Sequence, residues 1–173
     1  MVNVLPAGEL RALSSAVQYL VVLVVSEREE IAKRIESYMR NAGHPVRAAW
    51  VTDLEDIQEA LSRGAPDLLL CAEGLLAAPL KSVVTLSARL CPDLPVLLLA
   101  SKHSQEETVA ALTVGAKDQV SYEDLRQLRH LELVMMREFV THHALRELRN
   151  TRTRLADFES RHLKLLAGTN DAV

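Results

Sequence analysis

The sequence is poor in aromatic residues and has no surplus of positive charge. Phenylalanine, tryptophan and tyrosine together make up 3% of the 173 residues, and the formal net charge is −3 at pH 7. Nucleic-acid-binding proteins concentrate Lys and Arg on one face, and those that bind single strands add aromatic side chains on which bases stack. The composition therefore argues against a nucleic-acid partner.

Cysteine is also scarce, and no hydrophobic run is long. Cys71 and Cys91 both lie in apolar stretches, which favours two reduced, buried thiols in a cytoplasmic protein over a disulfide. The longest apolar run, residues 19–25, is much shorter than the roughly 20 residues that a transmembrane helix needs. The N-terminus lacks a basic segment followed by an apolar one, so we predict no signal peptide and no membrane insertion.

What the sequence contains instead is a repeated alternation of short apolar runs with segments of helical periodicity. Residues 20–25 are all apolar and include four valines, which favours a strand buried on both faces, as in a parallel sheet. Five strand–helix units in alternation predict a doubly wound α/β sheet with right-handed crossovers. The strands are predicted at residues 20–25, 46–51, 68–72, 96–100 and 119–121.

Capping residues mark the ends of the predicted helices. Ser26 with Glu29, and Ser104 with Glu107, have the spacing of a capping box, in which side chains bond to the free amides of the first turn. The remaining markers are Asp53 and Pro79 at the beginnings of helices, and Gly43, Gly64 and Gly115 at their ends.

The C-terminal part of the chain is predicted to form one long helix. From Glu123 to residue 167 the sequence has no strand pattern, no glycine and no proline. Such a helix is longer than one sheet needs for its cover. The residues predicted to face the sheet are Leu125, Leu128, Leu131 or Glu132, and Met135.

A sparse seam of leucines continues along this predicted helix. Leu145, Leu148 and Leu155 recur at intervals of three and seven residues, with charges of both signs between them. The seam could pack on its own domain or against a second copy. A helix that extends past its sheet has little of its own chain to contact, so we favour a homodimer. The polar residues near the same stripe are Arg152, Glu159 and His162.

Three segments together resemble the receiver domain of two-component response regulators. PDLLLCAEGLLAAPL from Pro66 resembles the third strand and its loop, and LPVLLLAS from Leu94 resembles the fourth strand. GAKDQVSYEDL from Gly115 resembles the Gly-Ala-x-Asp stretch that leads into the fifth strand. The resemblance spans residues 20–136. It implies a flavodoxin-like (CheY-like) parallel sheet in the order 2-1-3-4-5, with a long C-terminal helix.

The same resemblance implies a pocket, and this sequence departs from it at most positions. Receivers use an acidic pair to hold Mg²⁺, an aspartate to accept the phosphoryl group, and a hydroxyl and a lysine to bind its oxygens. A methyl group cannot attack phosphorus, so no enzymatic activity, cofactor or metal is expected, although Glu27 alone is a weak metal-binding alternative. The positions of this vestigial pocket are Ser26, Glu27, Ala72, Ala100 and Tyr122.

Three neighbouring features leave alternatives open. A register shifted by one residue would make Glu73 the acceptor, although the shift would turn that side chain to the other face of the strand. His142 and His143 faintly resemble a phosphoacceptor helix, but solvent exposure is the prediction. Trp50 is expected in the core or at the sheet edge, and Gln119 replaces the usual switch aromatic. The rival functions are a receiver that accepts phosphate at a non-standard residue, and a small-molecule sensor that uses the vacated pocket.

Receivers altered in this way resemble those that open larger proteins with PAS, GGDEF and EAL domains. The long helix and the final segment, RLADFESRHLKLLAGTNDAV, resemble the linker into a PAS domain of FimX-like cyclic di-GMP regulators. The resemblance implies a phosphorylation-independent interaction and dimerisation module, cytoplasmic and addressed to a cell pole, that serves pilus-driven twitching motility through a protein partner. The predicted domains are a leader (1–18, with a short helix at 8–17), the receiver-like domain (19–136), a helical stalk (137–167) and the start of a following domain (168–173).

Overall fold

The computed structural model describes residues 19–170, with side chains described as far as residue 168. The predicted leader and its short helix lie outside the described residues, as does most of the predicted 168–173 segment. The strands are β1 (Leu20–Val25), β2 (Val46–Val51), β3 (Leu68–Ala72), β4 (Val96–Ala100) and β5 (Asp118–Ser121). The helices are α1 (Glu29–Asn41), α2 (Leu54–Arg63), α3 (Leu80–Leu90), α4 (Gln105–Val114) and α5 (Leu125–Asn170).

The five strands form one parallel sheet in the order β2-β1-β3-β4-β5, as predicted. Its apolar strands bury side chains on both faces, because each face is covered by helices. On one face, α1 and α5 contribute the fully buried Ile35, Met39, Leu131 and Met135. On the other face, α2 and α3 contribute a second core.

Two of the predicted helix starts are confirmed, and one is wrong. The side chain of Asp53 accepts a hydrogen bond from the Asp56 amide at 2.9 Å, and Ser104 caps α4 in the same way. Ser26 does not cap α1. It is buried at the end of β1 and its hydroxyl donates to the carbonyl of Arg28 at 2.8 Å, so the helix begins only after Arg28.

The outer edge of the sheet at β2 is covered by side chains from α1. The Glu36 carboxylate accepts from the Ala48 amide at 3.2 Å, and Arg40 donates to the Val46 carbonyl at 3.1 Å. Glu36 and Arg40 also pair with each other at 2.6 Å. Open strand edges can recruit other strands, so this ion pair shields part of an edge that would otherwise be free to pair.

The sheet-facing side of α5 matches the prediction except at its first residue. Leu128, Leu131 and Met135 are buried in the core. Leu125 is 75% exposed, so its predicted packing is wrong. Leu125 lies in the first turn of α5, past the end of β5, where the helix has not yet reached the sheet.

Contacts between α5 and the domain continue beyond the sheet-facing residues, as far as Arg149. His142 is buried against Asp67 at the start of β3, so its predicted exposure is wrong, and His143 is half-buried. Burial is the main cause that lowers the pKa of His142. Two turns after His142, Arg149 pairs with Asp93 of the α3–β4 loop. The backbone of Asp93 is in the left-handed region at φ 72°.

Both cysteines are free thiols in this structure. Cys71 is buried, and burial raises its pKa to about 12; Cys91 is half-buried. No helix among residues 19–170 combines the length and the apolar character needed to cross a membrane.

A buried carboxylate joins α5 to α1. The Glu132 side chain is only 7% exposed and accepts from His44 at 3.0 Å, from Arg129 at 2.7 Å and from the Tyr38 hydroxyl at 3.3 Å. The hydrogen bond with His44 is the largest cause that lowers the pKa of Glu132 from its ordinary 4.5. Because charge-assisted bonds of this kind strengthen with burial, Glu132 helps to fix α5 on the domain.

Replacing Glu132 should remove part of the acid sensitivity of the fold. A carboxyl group whose pKa is lowered in the folded state stabilises that state above its unfolded pKa, and the contribution is lost as pH falls below about 4.5. We expect Glu132→Gln to be less stable than wild type at neutral pH, and the difference to shrink as pH falls from 5 towards 3. Urea unfolding across that range measures it, with the exposed Glu147→Gln as control. A difference that is constant with pH would contradict this role.

Candidate functional site

The carboxyl ends of the central strands surround a cleft of about 210 Å³. Open parallel sheets bind their ligands at this edge, where the loops after neighbouring strands meet. The cleft is formed by the turn after β1, the turn after β3 and the end of β5. Its lining residues are Ser26, Glu27, Arg28, Ile31, Ala72, Glu73, Gly74, Leu75, Leu99 and Tyr122.

Four of the five predicted pocket residues meet in this cleft. Ser26, Glu27, Ala72 and Tyr122 all line it, although Glu27 is exposed to solvent and the other three are not. Ala100 is fully buried at the end of β4 and does not line the cleft. The residues that the receiver resemblance placed at the pocket therefore do lie close together, except for Ala100. The vestigial role of these residues stays a prediction.

At the cleft, the loops after β3 and β4 are joined by a contact that the sequence analysis did not predict. One oxygen of the Glu73 carboxylate accepts from the Ser101 amide at 2.8 Å and from the Ser101 hydroxyl at 2.6 Å. Glu73 follows β3 and Ser101 follows β4, so this pair clamps two loops. The available signal was an acid and a hydroxyl that each stand one residue after a predicted pocket position.

Arg28 is the second residue that the sequence reasoning missed. Its guanidinium reaches the Tyr122 hydroxyl at 3.5 Å across the cleft. A cationic side chain therefore lies among Glu27, Glu73 and Tyr122.

Trp50 lies on the edge strand β2, as expected, and it is bonded to Ser26, one of the residues that line the cleft. Its indole N–H donates to the carbonyl of Ser26 at 2.8 Å, and the side chain is 40% exposed. It is the only tryptophan in the sequence, so the tryptophan fluorescence of the chain comes from this position beside Ser26.

Gln119, at the position of the usual switch aromatic, is held inside the domain. It is only 1% exposed, and its amide donates to the Lys102 carbonyl and to Glu107, both at 3.3 Å. The hydroxyl of Thr108 donates to its side-chain oxygen. These bonds tie β5 to α4 and to the loop before it, which fixes this part of the surface.

The contacts that the side chains make in the cleft are hydrogen bonds. Ala72 presents a methyl group, which has no atom that can accept a phosphoryl group. Within residues 19–170, no group of three or more His, Cys, Asp or Glu side chains is placed to hold a metal ion. The arrangement is suited to maintaining a fixed loop conformation.

Comparison with known proteins agrees with this geometry at the level of the fold. No protein-family model matches the sequence, and no curated protein sequence matches it significantly. Among solved structures, the receiver domain of a Francisella response regulator is 16% identical, with a TM-score of 0.58, over 70% of this chain and 97% of that one. A putative response regulator from Chloroflexus aurantiacus is 21% identical, with a TM-score of 0.60, over 71% and 99%.

A longer protein, NtrX from Brucella abortus, matches through part of its length. It is 24% identical, with a TM-score of 0.64, over 80% of this chain but only 30% of the NtrX chain. The fold of this chain is therefore that of a response-regulator receiver domain, with an extended last helix. Identities at this level establish the fold and not the activity.

Incubation with acetyl phosphate and Mg²⁺ should leave the chain unmodified. The expected result is an unchanged mass in intact mass spectrometry, because the side chain at position 72 has no nucleophilic atom. Beryllofluoride should likewise leave the Trp50 fluorescence unchanged. A phosphoryl adduct that disappears in Glu73→Ala would show that the acceptor is Glu73 and that the aligned register is wrong.

Proposed function

We propose that this chain is a receiver-like interaction and dimerisation module that works without phosphorylation. It would belong to a multidomain bacterial cyclic di-GMP signalling protein, and it has no catalytic role of its own. The proposal is supported by a receiver fold and by Ala72 in its cleft, at the position that the family resemblance aligns with the acceptor. A domain with this fold but without an acceptor residue can still act by binding other proteins through its surface.

The leucine seam of α5 supports dimerisation because it is not used within the chain. Leu145, Leu148 and Leu155 are 47%, 55% and 57% exposed. Every described side chain from 144 to 168 is exposed, so packing of the seam on its own domain is not observed. An exposed apolar stripe on a helix is a common site of association.

The sequence of the stalk divides into a polar side and a side that contains the leucines. When Leu145 is given position a of a heptad, Leu148 and Leu155 occupy d, and Leu166 occupies a. Polar residues interrupt the seam, because Arg152 and Glu159 take the other a positions and His162 takes a d position. Phe158, at position g, lies beside this seam and is 68% exposed. From residue 145 to 166 the b, c and f positions are all polar: Arg146, Glu147, Asn150, Thr153, Arg154, Asp157, Ser160, Arg161 and Lys164.

The seam of α5 borders the side of the helix that touches the domain. His142 is buried against the domain and Arg149 pairs with Asp93. Leu145 is three residues after His142 and four before Arg149, so it borders this side, whereas Leu148 lies about 100° round the helix from Arg149. The leucines of the seam are nevertheless 47–57% exposed. The domain therefore leaves the seam accessible to a second copy. A parallel pair would place two receiver-like domains at the same end, and a partner that binds both gains affinity from effective concentration.

Charge substitutions in the seam should abolish the dimer. We expect wild type to approach twice the mass of one chain with rising concentration in light scattering. The double variant Leu145→Asp, Leu148→Asp should stay monomeric, because a dimer would bury four unpaired carboxylates. Val140→Asp is the matched control, because Val140 is a 61% exposed apolar residue of the same helix outside the seam.

The same measurement tests the independence from phosphate. Addition of Mg²⁺ and beryllofluoride should leave the association curve of the wild type unchanged. A wild type that remains monomeric at every concentration would contradict the dimer, and a shift with beryllofluoride would favour the rival receiver that still responds to phosphate.

We further propose, from the family resemblance, that the module acts in the cytoplasm and addresses its parent protein to a cell pole, in support of twitching motility through a pilus-associated partner. The test is the position of the fluorescently labelled parent protein in cells. Substitutions on the receiver surface that leave the dimer intact should disperse the polar signal, and unchanged foci would contradict the address function.

A further inference from the structure

One face of the sheet is not covered by any described helix at the amino ends of β1 and β2. Both faces of a parallel sheet are normally covered. On this face α2 and its neighbours cover the carboxyl half of β1, where Leu23 is buried. Nearer the start of the strand, Val21 is 39% exposed and Tyr19 is 45% exposed. Arg47 and Ala49 of β2 are exposed beside them, and these four residues form the open face.

The side chains of the open face lie on the same side of the sheet. Alternate residues of a strand share a face, and the pairing of β1 with β2 sets Val21 beside Arg47. The Cζ atom of Arg47 lies 4.7 Å from the centre of the Tyr19 ring, which agrees with this placement. On the other side of the same strand ends, Leu20 and Val46 are buried in the core that includes α1. The open face is therefore a gap in the cover of one side.

The segment that precedes β1 enters the domain at this face. Tyr19 is the first described residue, and the leader joins it directly. The helix predicted for residues 8–17 would place Leu10, Leu13 and Val17 on one side, at intervals of three and four residues. Only residues 18–19 separate that helix from β1. A connection of this length is usual between a helix and the strand that follows it, where about two to six residues are common.

Length and connectivity favour the leader as the cover of the open face. Ten helical residues are about 15 Å long, which matches about five residues of a strand. A helix joined to β1 through two residues lies close to that strand, and the opposite side is already filled by α1. A second copy would have to associate from solution, whereas the chain itself holds the leader beside the face at high effective concentration.

We propose that residues 8–17 form a helix that docks on the open face through Leu10, Leu13 and Val17. The folded domain would then begin near residue 8 and not at residue 19. While the leader is docked, this side of β1 and β2 is closed to other proteins. The inference goes beyond the proposed function, and it depends neither on dimerisation through α5 nor on the chemistry of the cleft.

Thiol labelling of the full chain tests the docking. Ala49→Cys places a small probe on the open face, and Cys91→Ser leaves the buried Cys71 as the only other thiol. We expect the probe to react slowly with a thiol reagent when the leader is unchanged. Addition of Leu10→Asp and Leu13→Asp should make it react about tenfold faster, because the burial of two leucines contributes enough for such a change.

A matched control places the same charges on the other side of the predicted helix. Ala12→Asp, Ser15→Asp should leave the labelling rate unchanged. Hydrogen exchange gives a second measurement, in which amides of residues 9–17 should be protected in wild type and in the control, and lose protection in Leu10→Asp, Leu13→Asp. The domain should fold in all of these variants, because the four substitutions precede β1 and leave its core unchanged.

Three results would overturn the proposal. Fast labelling of Ala49→Cys with an unchanged leader would show that the face is uncovered. Slow labelling that Leu10→Asp, Leu13→Asp does not change would show that the leader is not the cover, and a rate that then falls with rising protein concentration would identify a second copy. Unprotected amides at residues 9–17 in wild type would exclude a docked helix.

Discussion

The rest of the structure depends on the burial of both faces of one parallel sheet. Apolar strands such as β3, with residues 68–71 buried, are stable only if helices cover each side. The helix α5 supplies half of one cover through Leu131 and Met135, and this packing sets where it leaves the domain. The cleft has the same origin, because parallel strands bring their carboxyl ends and loops to one edge.

The sequence predicted the fold closely because its signals were local. Valine-rich runs and the residues Asp53, Ser104 and Gly115 specify strands and helix ends without help from distant parts of the chain. The misplaced residues were those decided by tertiary contacts. Ser26 had capping spacing but lies buried in a strand end, and His142 became buried because the loops below the sheet reach α5.

The cleft was only half predictable for the same reason. The receiver resemblance predicted that Ala72 and Tyr122 stand at strand ends, and both line the cleft, since register within a strand fixes which residue stands at its end. The clamp of Glu73 on Ser101 joins residues 28 apart in sequence and depends on two loops meeting in space. No local pattern encodes such a meeting. The Glu73 carboxylate thus connects the carboxyl ends of β3 and β4.

The uninterrupted course of α5 makes its length a determinant of orientation. No glycine or proline occurs between Leu125 and residue 167, and the domain grips the helix only as far as Arg149. A helix turns by about 100° per residue, so one residue added beyond that grip would rotate any attached segment by the same angle. An insertion of seven would nearly restore it. The number of residues in the stalk therefore determines which way an attached segment faces relative to the receiver-like domain.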